Sequence, residues 1–243
     1  MDSTKVVPLP GSDEGKKQQV GAMFDRIAKR YDLLNRVLSM GIDKSWRRMA
    51  VRTLKVVQPR NIIDIATGTG DFALALSKIR PKEIVGVDIS TGMLEIGKEK
   101  VAKKRLTGMI RMEYGDSEQL KYPTGYFDAV TCAYGVRNFE NLELGLKEMC
   151  RVMRPGGRLA ILEFSRPKSF PFNNIYNFYF TKLLPAMGRT VSNDATAYQY
   201  LPDSVKAFPD GEDFLAILRN CGFTQVHARP LTMGITTLYT ASK

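Results

Sequence analysis

Residues 64–71 read DIATGTGD, and they lie between the apolar pair at 62–63 and the segment FALAL at 72–76. This order predicts a buried strand that runs through a glycine-rich turn into a helix. Gly68 and Gly70 remove side chains where a ligand approaches the backbone, and the turn leaves unpaired N–H groups at the start of the helix. The stretch therefore predicts a nucleotide-type pocket beyond the end of the first strand.

The charge of this turn separates two cofactor classes. A Gly-x-Gly spacing without a third glycine also fits a dinucleotide site, as in an NAD-dependent short-chain dehydrogenase. Asp64 and Asp71, at the two ends of the turn, favour instead a ligand with positive charge, and S-adenosylmethionine carries a sulfonium and an ammonium group. A dehydrogenase also needs a Tyr-x-x-x-Lys pair for proton transfer, and we expect none in this chain. S-adenosylmethionine is therefore the expected cofactor, with an ordinary glycine-rich turn as the alternative.

The composition predicts one domain with one core, because the chain has 243 residues of which 44% are apolar. Cys132, Cys150 and Cys221 have neither disulfide-framework nor metal-ligand spacing, which favours a reducing cytoplasm. The first twenty residues lack the apolar core of a signal peptide, and no run reaches the length of a membrane span. We expect a cytoplasmic protein, free in solution or peripheral at the inner face of the cell membrane. A homo-oligomer stays open.

Positive charge is concentrated near the N-terminus. Residues 1–60 hold thirteen Lys or Arg against six Asp or Glu, in a chain with a net charge of +11. An anionic membrane surface or a nucleic acid fits such a surplus, and so does a solvated basic surface without a partner. No helix-turn-helix, zinc finger or aromatic RNA-binding strand accompanies the surplus, so we expect no nucleic acid partner.

The pattern along the chain predicts an α/β fold. Apolar residues recur at helical spacing over 20–38 and again over about 46–54. Strands and helices then alternate, with strands expected at 62–66, 83–88, 109–114, 127–133 and 158–164. Two final strands with a short link predict an antiparallel hairpin at 224–229 and 235–241. This is typical of a Rossmann-like, doubly wound, mostly parallel sheet of seven strands.

A single domain over 1–243 is expected to carry two additions. Residues 1–18 are rich in Pro, Gly and charge, and they predict a mobile tail. Residues 165–210 interrupt the alternation and predict an inserted substrate cap over the strand ends. The six aromatic residues between 170 and 180 fit an apolar lid, a surface that contacts lipid, or a roof of the core.

Acidic residues close the second and third predicted strands. Asp88 follows Gly68 by twenty residues, the position at which a carboxylate meets a ribose diol in this class of fold. Asp116 and Ser117 come after the third strand, where the carboxylate can accept the amino group of adenine, and Met93 can pack on the adenine ring. Helix capping is the alternative for the two aspartates, and core packing is the alternative for Met93.

These strand ends resemble the class I S-adenosylmethionine-dependent methyltransferases, and longer stretches narrow the resemblance. Residues 31–46 (YDLLNRVLSMGIDKSW) and 151–165 (RVMRPGGRLAILEFS) are similar to the two signatures of the quinone C-methyltransferases that make menaquinone and ubiquinone. Residues 134–138 (YGVRN) match a third motif of that family. Asp43 stands where the family usually has His, and Leu34 where it usually has Met. Either that His is dispensable for catalysis or this chain has lost a catalytic residue.

The resemblance implies an activity and a set of cofactor contacts. The activity is transfer of a methyl group from S-adenosylmethionine to a ring carbon of a membrane-dissolved polyprenylated hydroquinone, with demethylmenaquinol favoured. A benzoquinol of ubiquinone biosynthesis and a non-catalytic relative of the fold stay open as alternatives. The cofactor contacts are expected at the turn and at the strand ends: Thr67, Gly68, Gly70, Asp88, Met93, Asp116, Ser117 and Ala133.

Three residues are expected to serve the substrate. The guanidinium of Arg137 lies just past the fourth strand, and an adjacent cation lowers the pKa of a bound phenol because it favours the anion. A structural Arg137 paired with Glu140 or Glu163 is the alternative. Tyr31 and Asn138 are expected to line the same cavity.

No metal site is predicted. His227, the only histidine, is expected on a final strand far from the strand ends, in a structural role. With no other His and no paired Cys, a metal site has too few ligands, and a Ser-His-Asp triad would need this one residue.

Overall fold

A computed structural model of the chain describes residues 6–167, 170, 173–174 and 195–243. Its centre is a seven-stranded sheet in the order β3-β2-β1-β4-β5-β7-β6. The strands are β1 Asn61–Ile65, β2 Glu83–Asp88, β3 Ile110–Tyr114, β4 Phe127–Ala133, β5 Met153–Phe164, β6 Thr224–Leu231 and β7 Thr236–Ser242. The first five pair in parallel, and β7 lies antiparallel between β5 and β6. The predicted mostly parallel sheet with a terminal hairpin is confirmed.

Helices cover both faces of this sheet. They are α1 Lys16–Ser39, α2 Asp43–Leu54, α3 Asp71–Leu76, α4 Thr91–Lys103, α5 Leu142–Val152, α6 Ala195–Ala207 and α7 Glu212–Asn220. Neighbouring residues of β1 show how the layers form, because successive side chains of a strand point to opposite faces. Ile62 packs in a buried cluster with residues of α2, α3 and α4, whereas Ile63 packs in one with residues of α5 and α7.

Two elements differ from the sequence prediction. β5 begins at Met153, five residues before the expected start, and runs through the segment RPGG at 154–157. A register shift in the β4–β5 pairing accommodates this extension, since the partners change between Phe127 and Ala129. α6 lies inside 165–210, a stretch for which no helix was predicted.

The tail and the cap stay predictions. α1 begins at Lys16, inside the stretch expected to be mobile, and the backbone N–H of Leu9 donates to the side chain of Gln19 at 2.8 Å. Most of the aromatic stretch 170–180 lies outside the described residues, and of its six aromatic side chains only Phe170 is described, 79% exposed.

Candidate active site

A cleft of about 660 Å³ opens at the carboxyl ends of β1, β2, β3 and β4. The segments that follow these strands form one wall, and α1 forms the other with Lys17, Val20, Phe24 and Tyr31. Residues predicted from the sequence that line the cleft are Tyr31, Gly68, Asp88, Met93, Asp116, Ser117, Ala133 and Asn138. Thr67, Gly70 and Arg137 were predicted to belong to the site but are not among the residues that line it.

The backbone in and next to the floor of the cleft adopts left-handed conformations at several residues. Gly68 and Gly70 adopt φ values of +55° and +77°, in the left-handed region that favours glycine. Ala66 and Tyr134, which follow the neighbouring strands β1 and β4, also have positive φ values of +51° and +61°. A side chain at Gly135 would lie 2.5 Å from the Cβ of Ala66. Such strain persists where the surrounding structure imposes it, and it is typical of functional sites.

Asp88 holds the glycine turn in place. Its carboxylate accepts the backbone N–H of Gly68 at 2.7 Å and that of Ser90 at 2.9 Å, so it joins the turn after β1 to the start of α4. Burial raises the pKa of Asp88, and the two backbone donors oppose that rise. The carboxylate lines the cleft, as a ligand of ribose hydroxyls must.

Asp116 and its neighbours line the cleft after the end of β3. The ammonium of Lys17 lies 2.7 Å from a carboxylate oxygen of Asp116 and 3.1 Å from one of Glu118. The second carboxylate oxygen of Asp116 accepts the backbone N–H of Glu118 at 2.9 Å. Lys17 had no sequence signal, because its contacts are made across about a hundred residues of chain.

Asp64 and Asp71 do not face the ligand. Asp64 is 1% exposed, and its two carboxylate oxygens accept the hydroxyls of Thr67 at 2.6 Å and Thr131 at 2.7 Å. Asp71 pairs with Lys100. The prediction that Asp64 and Asp71 attract a positively charged ligand is therefore wrong for these two residues. The carboxylates that line the cleft are those of Asp88, Asp116, Glu118 and Glu140.

Two further aspartates fasten α1 over the cleft. Asp25 accepts the hydroxyl of Ser90 at 2.6 Å and the backbone N–H of Gly92 at 2.8 Å, at the start of α4. Asp32 accepts the hydroxyl of Thr69, in the glycine turn, at 2.6 Å. These contacts make α1 part of the site, and no motif in the sequence indicates them, because they join residues far apart along the chain.

Aromatic side chains surround the far end of the cleft. Tyr31 packs edge-on against Phe24 with ring centroids 5.9 Å apart, and burial raises the pKa of the Tyr31 phenol. Tyr134 stacks on Phe164 at 4.5 Å. The side-chain oxygen of Asn138 accepts the hydroxyl of Tyr200, from α6, at 3.2 Å. A flat aromatic ligand fits such a wall.

Arg137 lies behind this wall. Its guanidinium pairs with Glu163 at 2.8 Å, donates to the carbonyl of Tyr134, and lies 5.4 Å from the ring centroid of Phe164. Its Nε has no hydrogen-bond partner within the part of the chain that the structure describes. The pairing with Glu163 is the structural alternative raised from the sequence, and a role toward the substrate stays a prediction.

Other sequence features fall outside the cleft. His227 lies in β6 at the edge of the sheet. The chain does contain one Tyr-x-x-x-Lys spacing, Tyr239 to Lys243, in and just after β7. There the Tyr239 hydroxyl accepts the backbone N–H of Gly211, and Lys243 donates to the carbonyl of Cys150. Residues so engaged form no proton relay at the cleft.

The residues of the cleft fit S-adenosylmethionine. The glycine turn admits a ligand against the backbone, and the buried Met93 offers an apolar surface to a base. The lining has four carboxylates and one lysine, an acidic balance that suits a ligand with a sulfonium and an ammonium group. Among the described residues, no group of His, Cys, Asp and Glu is arranged to hold a metal ion. None of the helices within the described ranges is long and apolar enough to cross a bilayer.

A model of the ubiE/COQ5 methyltransferase family matches residues 12–243. The chain belongs to this family. A demethylmenaquinone methyltransferase of Bacteroides fragilis is 48% identical over 96% of both chains, and one of Deinococcus radiodurans is 47% identical over 97% of both. A ubiquinone/menaquinone biosynthesis C-methyltransferase of Geotalea daltonii is 46% identical over 94% of this chain and 97% of that protein. The predicted methyltransferase class and its cofactor, S-adenosylmethionine, are confirmed.

Solved structures agree in fold at low identity. An S-adenosylmethionine-dependent methyltransferase of Thermotoga maritima has a TM-score of 0.63 at 20% identity and covers 92% of this chain and 99% of that one. The [4+2]-cyclase SpnF also has a TM-score of 0.63, at 18% identity, over 93% of this chain and 96% of that one. A cyclase and a methyltransferase on one fold show that the fold alone does not determine the reaction.

Replacing Asp88 is expected to weaken cofactor binding. Hydrogen bonds to a charged carboxylate contribute about 1.5–3 kcal/mol each, so Asp88→Ala should reduce the affinity for S-adenosylmethionine at least tenfold. Calorimetric titration measures this affinity, with NAD as a ligand expected not to bind. Asp203→Ala removes an exposed carboxylate of α6 and is the matched control. Unchanged affinity in a folded Asp88→Ala variant would refute the assignment.

Burial of Asp64 is expected to make stability depend on pH. Because burial raises its pKa from 3.8 to about 6, the folded protein keeps a proton that the unfolded chain releases in this window. The Asp64 contribution to the free energy of unfolding therefore falls as the pH rises from 3.8 to about 6, by at most about 1.4 kcal/mol per pH unit. Denaturation of the wild type and of Asp64→Asn at pH 4 to 7 measures it. If the free energies of unfolding of the wild type and Asp64→Asn change with pH in parallel, the raised pKa is contradicted. The control Asp203→Asn should run parallel to the wild type.

Proposed function

We propose that the protein transfers the methyl group of S-adenosylmethionine to a ring carbon of demethylmenaquinol. The main support is the similarity to a relative named demethylmenaquinone methyltransferase, which is 48% identical over 96% of both chains. The aromatic end of the cleft, with Tyr31 and Tyr134, offers a flat slot for a naphthoquinol ring. The relative from Geotalea daltonii is named for ubiquinone as well, so a benzoquinol is the second candidate.

The cofactor residues divide the cleft into two parts. When bound, S-adenosylmethionine supplies an electrophilic methyl group. Asp88 would bind the ribose hydroxyls, and Asp116 with the N–H of Ser117 would bind adenine, with Met93 against its face. Ala133, at the end of β4, lies between these residues and the aromatic end. The acceptor ring would thus meet the cofactor beyond β4.

The acceptor must be electron-rich at carbon, because the methyl donor is an electrophile. A hydroquinone, and above all its phenolate, has that electron density, whereas the oxidised quinone is itself an electrophile. Among the described residues that line the cleft there is no histidine. Proton removal would then fall to a water, to an Asp or Tyr, or to a phenol that Arg137 acidifies, and we assign Arg137, Asn138 and Tyr31 to that end of the cleft.

The same proposal includes reversible contact with a membrane. A polyprenyl tail keeps the substrate in lipid, so the enzyme would meet it at the membrane surface. The basic surplus of residues 1–60 suits an anionic leaflet, and nucleic acid has no part in the proposal.

Methylation is expected to require the reduced substrate. A short-tailed demethylmenaquinone is incubated under nitrogen with the enzyme and the cofactor, with and without a chemical reductant. The reduced sample should be methylated, and the oxidised sample should give at most background. Equal rates in the two samples would contradict this mechanism, because an acceptor that reacts when it is oxidised does not react as a phenolate. A benzoquinol analogue under the same reductant decides between the two substrates.

Arg137→Lys is expected to lower turnover far more than cofactor affinity. The lysine keeps a charge but loses the planar fork, so a phenol polarised by Arg137 would ionise at higher pH. The rate should fall at least tenfold, and the rise of the pH–rate profile should move to higher pH. Glu163→Gln is the matched variant, because it breaks the same ion pair without touching the guanidinium. Normal turnover in Arg137→Lys, or an unmoved profile in both variants, leaves Arg137 structural.

A further inference from the structure

The exposed charge between residues 26 and 60 has one sign. This stretch holds ten Lys or Arg and two Asp or Glu, whereas the rest of the chain is nearly balanced. Both carboxylates are engaged inside the protein: Asp32 pairs with Lys100 at 2.8 Å, and Asp43 pairs with the buried Arg47. Every exposed charged side chain of the stretch is therefore cationic.

The cations follow the outer faces of two consecutive helices. On α1 they are Arg26, Lys29, Arg30 and Arg36. On α2 they continue with Lys44, Arg48 and Arg52, and Lys55 follows directly after the helix. Spacings of three and four residues place such side chains on one face of each helix. Few charges of opposite sign interrupt this surface, so it presents a positive potential to any partner.

Apolar side chains stand at the junction of these helices. Met40 is 81% exposed and Ile42 is 36% exposed. The turn is compact, because the N–H of Gly41 donates to the carbonyl of Arg36 at 3.1 Å. Met233, 63% exposed, lies in the link between β6 and β7. Its neighbour Thr232 accepts the indole N–H of Trp46 at 2.8 Å, which ties this link to α2 one turn after Ile42. We name Met40, Ile42 and Met233 the apolar tip.

The apolar tip is close to the aromatic end of the cleft. Trp46, one turn into α2, packs on Tyr134 with ring centroids 6.3 Å apart, and Tyr134 lines the cleft. Tyr31, on the other wall, lies about two turns before the end of α1 at Ser39, and Met40 follows directly after that end. A tail that leaves the aromatic end therefore has a short path to the tip.

We propose that the α1–α2 junction is the surface that docks on an anionic bilayer. The apolar tip enters the headgroup layer, and Arg36, Lys44 and Arg48 around it contact lipid phosphates. The proposal rests on the proposed function in one respect, namely that the substrate is held in lipid. A polyanion such as RNA would be attracted by the cations alone, whereas the exposed tip in their midst gains from burial in lipid.

Vesicle sedimentation of the full chain tests the surface. The vesicles contain phosphatidylcholine alone or phosphatidylcholine with one quarter phosphatidylglycerol. Each cation near the surface contributes about fivefold to binding, so Arg36→Gln, Lys44→Gln and Arg48→Gln combined should reduce partition roughly a hundredfold at low salt. Met40→Ser, Ile42→Ser and Met233→Ser combined should also reduce it, with the salt dependence kept.

Matched controls lie on α4 and α5. Lys98→Gln, Lys103→Gln and Lys147→Gln remove three exposed cations elsewhere, and Leu144→Ser removes an exposed apolar side chain. Both controls should partition like the wild type. A wild type that ignores anionic vesicles, or controls that lose as much binding as the junction variants, would overturn the proposal. Calorimetric titration with S-adenosylmethionine verifies that every variant is folded.

Two further outcomes separate this surface from its rivals and from the proposed function. In the first outcome, the wild type binds a short RNA, the cation variant loses both RNA and vesicle binding, and the variant of the apolar tip loses neither. This outcome would assign the surface to nucleic acid and overturn the docking of the tip. Methylation of a short-tailed quinol in solution should be unchanged in the junction variants, while methylation of a long-tailed quinol in vesicles should fall. If the wild type methylates neither quinol, the proposed function fails, and the vesicle result still decides the surface.

Discussion

The carboxylate of Asp88 is the contact on which the site depends. It accepts the N–H of Gly68 and the N–H of Ser90, so one side chain fixes the turn after β1 against the start of α4. Gly68 adopts its left-handed φ without steric cost, because it has no Cβ, and the bond to Asp88 selects this conformation. This contact aligns the glycine turn and the start of α4 with the carboxylate that we assign to the ribose hydroxyls.

α1 completes the cleft by polar contacts at several points. Lys17 reaches Asp116, Asp25 reaches the start of α4, and Asp32 reaches the glycine turn. α1 carries Tyr31 on the side that lines the cleft and exposed cations on its outer side. In our proposals the first side meets the acceptor and the outer side meets the bilayer.

Much of this arrangement could be predicted from the sequence, because strand and helix periodicities are local. The strands around Ile62 and Asp88 and the final hairpin follow from such patterns. The pairing of Lys17 with Asp116 could not be predicted, since it joins residues about a hundred positions apart. The predicted role of Asp64 toward the ligand was wrong for a related reason. A carboxylate beside a glycine turn can face either a ligand or buried hydroxyls, and here it accepts the hydroxyl of Thr131, which is distant in the sequence.

The central claim is that the aromatic end of the cleft receives a demethylated quinol in need of one ring methyl group. The quinone pool of cells that lack the protein tests this claim most directly. Cells that lack the protein should accumulate demethylmenaquinone. The wild-type gene should restore menaquinone in these cells, and a gene that carries Asp88→Ala should not. A pool in which menaquinone is unchanged, or in which a demethylated benzoquinone accumulates instead, would contradict it.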